Sequence, residues 1–186
     1  MRHRRPVPYL KLGSPKLWLG EHAAQTPHDQ WPVGDAWLDG ISIAYLLDLP
    51  DGKTSRYVTQ GDLTKNRVPI DQLRKVSREE LWNRVDRSLQ VLPLENDCFG
   101  LRYDGATESS TLMLNDLWSA SLAPALDGGQ LVVAVPARDV VIYGSASHPY
   151  SIQHLRDVVE RLWNKPQTKH PLSRNLFRWN GSWQVL

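Results

Sequence analysis

One cysteine, Cys98, stands among 186 residues. A lone thiol excludes an internal disulfide and a cysteine-built zinc cage within one chain, and it suits a reducing compartment. Long apolar runs are missing too. After the first five residues comes PVPYLKLGSPK rather than a signal-type core, and no stretch approaches the roughly 20 apolar residues of a membrane helix. Charge of either sign is not in excess: 22 Lys and Arg face 20 Asp and Glu, for a net +2. The whole molecule is therefore no electrostatic trap for nucleic acid. The one dense basic run, Arg2, His3, Arg4 and Arg5, reads as a solvated terminus, with contact to phosphate or to an acidic partner as the alternative. The expectation is a soluble, cytoplasmic protein with no membrane partner.

Tryptophan is what the chain has in plenty, eight against two phenylalanines. An indole brings a large apolar body and an N–H that needs a partner when buried, so most of the eight read as core. Residues 1–40 are broken by Pro6, Pro8, Pro15, Pro27 and Pro32, each without an N–H and each restricting its predecessor. They read as an extended arm whose Leu10, Leu12, Leu17 and Trp18 are too apolar for a free linker. Residues 41–186 read as a single domain.

Within that domain, pairs of short strands alternate with helices. ISIAYLLDL and RYVTQ pair across Asp51-Gly52, and CFGLRY and ESSTLML across Asp104-Gly105. LVVAV and VVIYG pair across PARD, and NLFRW and SWQVL across Asn180-Gly181 as a two-residue turn. Taking PARD as a four-residue loop sets Val135 opposite Val140 and leaves both faces of that ribbon apolar, so it should be central and covered twice. The arm is the expected second cover. Helices are predicted over about 78–90, opened by the capping-box form Ser77-Arg78-Glu79-Glu80, with Pro69-Ile70-Asp71-Gln72-Leu73 either an earlier turn of the same helix or a separate short one, from Asp116 to Pro124, and along the stripe Ile152, Leu155, Val158, Val159, Leu162. The fold class is α+β, an antiparallel hairpin-built sheet with about three helices on it.

Chemistry-bearing patterns are scarce. There is no HExxH and no GxSxG, and Gly128-Gly129 precede a strand rather than a helix, so no cofactor and no metal are implied. Gly144, Ser145, Ser147 and His148 lie between a strand and a helix, where N–H groups could hold an anion, although a plain helix cap by Ser147 or a neighbour is the simpler reading. Arg138 and Asp139 at a hairpin tip read as turn chemistry or as a contact point. Trp18, Trp31 and Trp37 lie in loop-like sequence where no periodicity calls for burial, and they read either as contact anchors of a protein-binding surface or as inward pins that hold the arm to the body. The leading functional reading is a non-catalytic accessory or immunity-type module that binds another protein, with a homodimer as one form. The alternatives are a hydrolase or transferase assembled from scattered His, Asp and Arg, and nucleic-acid contact through the basic arm.

LVVAVPARDVVIYG, together with YVTQGDL (57–63) and LSRNLFRWNGSWQVL (172–186), resembles the YtpQ-like family of uncharacterised bacterial proteins over about residues 41–186. The resemblance implies one domain over that span, and it implies no mechanism.

Overall fold

The computed structural model describes residues 5–49, 54–126, 130–165 and 169–186. Arg2, His3 and Arg4 of the basic run, the Asp51-Gly52 turn and Gly128-Gly129 lie outside these. The chain divides into two compact units, Met1–Asn83 and Arg84–Leu186. The division falls far from residue 40, because the N-terminal segment supplies strands to the sheet that follows it.

In the first unit β1 (Val7–Leu12), β2 (Gly34–Ala36), β3 (Ile41–Asp48) and β4 (Ser55–Tyr57) form one sheet around β3. All its pairings are antiparallel, with β1 along one side of β3 and the three-residue β2 and β4 sharing the other. Gly13 N–H donates to the Gly40 carbonyl at 2.8 Å. That bond sets the alternation of the β1 ladder, so the backbone of Pro8 turns to the outer edge, where a missing N–H removes no ladder bond. Helix α1 (Pro15–Leu19) starts with proline at its first position and ends at Gly20 with φ 57°. On the opposite face from Trp18 and Tyr57, Val33, Tyr45, Val58 and Leu73 form the core. Leu73 comes from α3 (Ile70–Ser88), which begins eight residues before the predicted start. Ser77 is no cap. It is buried in mid-helix, and its hydroxyl donates to the Leu73 carbonyl at 2.6 Å.

The second unit holds a six-stranded antiparallel sheet in the order β10-β9-β7-β8-β6-β5. Its strands are β5 (Gln90–Pro93), β6 (Cys98–Arg102), β7 (Leu131–Ala137), β8 (Val140–Ser145), β9 (Leu176–Trp179) and β10 (Trp183–Val185). The doubly apolar pair β7–β8 is central, as its composition requires, and every residue of β7 is buried. One face packs on α4 (Pro149–Trp163) through Val132, Ala134, Leu155 and Val159. The other face carries Tyr143, and Trp118 meets it edge-on at 5.7 Å. Trp118 belongs to a π-helical turn, Leu117–Leu122, between 3-10 turns Glu108–Met113 and Ala123–Ala125. The second cover expected from the N-terminal segment thus comes from residues 108–125 of the same unit.

Three local expectations change. The segment ESSTLM is a buried 3-10 turn rather than a strand, because Glu108 reaches back to the turn before it: its Oε1 accepts from the N–H groups of Tyr103, Asp104 and Gly105. Strand β6 pairs instead with β5 and β8. In the β7–β8 hairpin Ala137 faces Val140, so the turn is Arg138-Asp139 alone, and Ala134 faces Ile142. Val135 and Pro136 then oppose the single residue Val141, a bulge that accommodates the proline's missing donor in a central strand. In the last hairpin Trp183 faces Trp179 and Val185 faces Phe177, leaving a three-residue turn with Gly181 at φ 93°.

The architecture is α+β, with two antiparallel sheets where one was expected. No helix among the described residues is long and apolar enough to cross a membrane.

Candidate functional site

The three N-terminal tryptophans are all half-buried. Trp18 lies on the sheet: its indole N–H donates to the Leu12 carbonyl at 2.9 Å, and its ring stacks on Tyr57 at 5.9 Å. Lys11 Nζ sits 5.3 Å from that ring and donates to the Tyr57 hydroxyl at 2.6 Å. A Cβ built on Gly34 would fall 2.9 Å from the Trp18 ring, so glycine there lets the indole lie flat. Trp31 donates to the Thr26 carbonyl at 2.9 Å and tilts against His28. Trp37 donates its backbone N–H to Ile41. The donors of Trp18 and Trp31 are therefore spent inside the fold, and their ring faces are only partly open.

An open apolar surface lies on the other face of this sheet. Thr59 caps α2 (Gln60–Asn66) through a reciprocal bond pair with Asp62, which ends the RYVTQ strand early and swings Leu63 beneath the sheet. The signal was present as Thr59-Gln60-Gly61-Asp62, a capping-box spacing. Leu47, Leu63, Val68 and Val76, all half-buried, together with buried Val58 and Leu73, line a cleft of about 340 Å³. Arg56 and Asp62 form its polar border, paired through two contacts of 2.5 and 3.0 Å. The Arg56 hydrogen bonds hold the Asp62 carboxyl below its ordinary pKa. Nearby, Arg74 forks onto Asp35 at 2.6 and 3.0 Å, and Tyr45 donates to the same carboxylate at 2.5 Å. These bonds, Arg74 first, lower the Asp35 pKa against the opposing effect of burial.

In the second unit Arg138 acts as a tie. Its Nε donates to the Ala106 carbonyl at 2.7 Å, its N–H to His170 at 3.1 Å, and its carbonyl accepts from Ser109 at 2.9 Å. Asp139 beside it is exposed. Gly144 is buried where a Cβ would meet Ser151 and Cys98 at 3.0 and 3.1 Å. Ser145 and Ser147 bond to each other at 2.8 Å, and His148, not Ser147, is the N-cap position of α4, without a side-chain cap bond. The loop meets a partner that sequence reasoning did not foresee. The β5–β6 turn brings Asp97 to 3.9 Å from His148 and Asn96 to 3.1 Å from His154. Asn96 and Asp97 both have positive φ, the geometry of a hairpin turn that asparagine and aspartate tolerate best. The thiol of Cys98 is buried, and burial raises its pKa, so it is no activated nucleophile.

A second cleft, of about 330 Å³, lies between the C-terminal half of α4 and β9, with Arg156, Glu160, Trp163 and Arg174 among its walls. No group of three or more His, Cys, Asp or Glu is placed to hold a metal ion among the described residues. Comparison of the chain with protein-family models, with curated proteins and with solved structures finds no match. The resemblance to the YtpQ-like family gains no support from them.

Proposed function

We propose that the chain is a non-catalytic protein-binding module, of accessory or immunity type, and that its first unit carries the contact surface. The observation that supports this most directly is the cleft of about 340 Å³ whose Leu47, Leu63, Val68 and Val76 stay half-exposed in the folded unit. Apolar side chains left open together, rimmed by an ion pair, are the composition of an interface core with a polar rim. The occupant is a segment of a partner protein that seats a large apolar side chain between α2 and α3. Asn66 and Gln72, which also line the cleft, face it with amides suited to that segment's backbone. Trp18, Trp31 and Trp37 serve in this reading as a partly open aromatic margin rather than as the anchors. Kinship with the YtpQ-like family is kept as a proposal that assigns no activity.

The test is capture of partners by the tagged full chain from its own cells, beside Leu63→Lys and Val76→Lys variants that melt like the parent. A stoichiometric protein retained by the parent and lost by both variants is the expected result. A partner that survives both changes but is lost on Trp31→Ala or Asp139→Lys moves the site elsewhere. Absence of any stoichiometric protein sinks the reading.

A further inference from the structure

The turn between β9 and β10 carries chemistry that neither cleft uses, and it stands independently of the protein-binding reading. Of the seven asparagines in the chain, Asn180 is the only one followed by glycine. It is exposed together with Gly181 and Ser182, and a Cβ built on Gly181 meets nothing within 4 Å. The polar groups of the turn are unevenly tied. Asn180 N–H donates to the Ser182 carbonyl at 3.3 Å, while the Gly181 N–H donates to no group among the described residues. Asn180 Oδ1 accepts from Ser182 Oγ at 3.4 Å, and its Nδ2 has no partner among the described residues. Other side-chain amides are held by theirs. Asn66 Nδ2 donates to the Asp62 carbonyl at 2.8 Å, Asn96 Nδ2 lies 3.1 Å from His154 Nδ1, and Asn164 Nδ2 donates to Glu160 at 3.4 Å.

The backbone nitrogen after an asparagine can attack that asparagine's side-chain carbonyl, since the chain itself holds the two together at high effective concentration. A side chain on the attacking residue hinders the approach, and glycine has none. A hydrogen bond on the nitrogen's proton restrains it, and Gly181 is spared that restraint. The Ser182 hydroxyl stands beside the oxygen on which negative charge gathers, and such bonds are long at rest and tighten as the charge develops.

We propose that Asn180 is a self-modification site, which loses its side-chain amide to attack by the Gly181 nitrogen. The deprotonated nitrogen bonds to Asn180 Cγ and closes a succinimide ring. The Cγ–Nδ2 bond breaks, and ammonia leaves with the proton that the nitrogen gave up. Water then opens the ring at either carbonyl, giving aspartate or isoaspartate, and nothing is oxidised or reduced. In isoaspartate the main chain runs through the side chain and is longer by a methylene. The lengthened turn acts on Trp183, which faces Trp179 across it. The Trp183 indole N–H donates to the Leu112 carbonyl at 2.7 Å, and its ring meets buried Trp118 edge-on at 5.0 Å. The isoaspartyl chain loses that register, and with it the cover Trp183 gives to Trp118.

The test ages the full chain at neutral and at mildly alkaline pH and follows every asparagine by peptide mass spectrometry. Amide loss at Asn180 is expected to be about tenfold or more faster than at any other asparagine, to give both acids, and to speed up as pH rises. Asn180→Gln should remove the fast site, and Ser182→Ala should slow it about threefold or more. Circular dichroism of the fresh variants should match the parent. The isoaspartyl form, separated by ion exchange and identified by an isoaspartyl methyltransferase, should lose protection of the Trp183 indole hydrogen. Asn180→Asp, which brings the charge without the added methylene, should keep it. Loss at Asn180 no faster than elsewhere, or a rate indifferent to pH, would overturn the assignment. An unchanged rate in Ser182→Ala would overturn the part given to the hydroxyl, and equal indole protection in the two acid forms would overturn the effect on Trp183.

Discussion

Glu108 is an acid left only 1 % exposed, and one of its oxygens organises the whole turn after β6. Three backbone N–H groups converge on Oε1, the nearest, from Gly105, at 2.5 Å. Glu108→Ala should cost about 2 kcal/mol, because the buried Tyr103 N–H and two part-buried ones lose their acceptor at once, and Glu108→Gln should cost less, since an amide oxygen still accepts. The shift in urea midpoint at constant slope measures both. The neighbouring hydroxyls behave oppositely. Ser109 and Ser110 are fully buried, and neither Oγ has a hydrogen-bond partner among the described residues. Ser109→Ala and Ser110→Ala should therefore be neutral or stabilise by up to about 1 kcal/mol, and a clear fall in the urea midpoint would contradict that account. Asp35 fixes part of the acid limit. Its folded pKa is depressed by Arg74 and by the Tyr45 hydroxyl. The stability it contributes is complete above the unfolded carboxylate value of about 3.9 and drains away as pH falls through the lower folded one. Asp62, depressed by Arg56, acts in the same window. Urea midpoints taken across that acid range should fall less steeply for Asp35→Asn than for the parent.

At the scale of elements, close approach places α1. Gly34 faces it with no side chain, and a Cβ would stand 2.8 Å from Pro15 and 2.9 Å from Trp18. Gly34→Ala should lift the short helix off the sheet and cost about 1–3 kcal/mol, as overpacking does, with the Trp18 indole N–H resonance moving as its bond to Leu12 lengthens. The last hairpin offers a comparable check at Gly181, whose φ of 93° is closed to a branched residue. Gly181→Val should destabilise β9 and β10 together, read as faster amide exchange along both strands. In the second unit α4 and the β7–β8 pair were legible from periodicity alone: Ile152 to Leu162 makes one face, and Leu131 to Ala137 is too apolar for anything but a central strand. Turn lengths were not. Both hairpins miss the expected register by one residue, because a bulge at Val135-Pro136 and an extra turn residue at Ser182 change the count without changing the pattern of apolar residues. The Glu108 turn failed for another reason. ESSTLM has no local helical signal, and its conformation is imposed by a carboxylate reaching three backbone donors that precede it.

Over the whole molecule, proline marks the long way from residue pattern to architecture. Five prolines in the first forty residues read as an arm, yet Pro8 sits inside β1 and Pro15 opens α1. A proline that forbids a central strand permits an edge, and that distinction needs the sheet to be known. The candidate surface was hidden for a like reason. Leu47, Leu63 and Val76 come from three elements, so no local spacing connects them. Pro93 repeats at β5 what Pro8 does at β1. Leu94 N–H donates to the Cys98 carbonyl at 2.8 Å, which turns the backbone of Val91 and Pro93 outward. Beside them Val91, Leu92 and Leu94 are exposed, a strand otherwise well suited to recruit another. The remaining outer strands, β2, β4 and β10, are three residues each. Each sheet margin among the described residues is thus either short or missing a donor, which disfavours fibril growth and strand exchange between copies. Pro93→Val should remove that protection. Light scattering of the variant should rise with concentration and time while the parent stays clear, and a variant that stays equally clear would show that the safeguard lies elsewhere. Association of the native chain is then expected to proceed through side chains rather than by continuing a sheet.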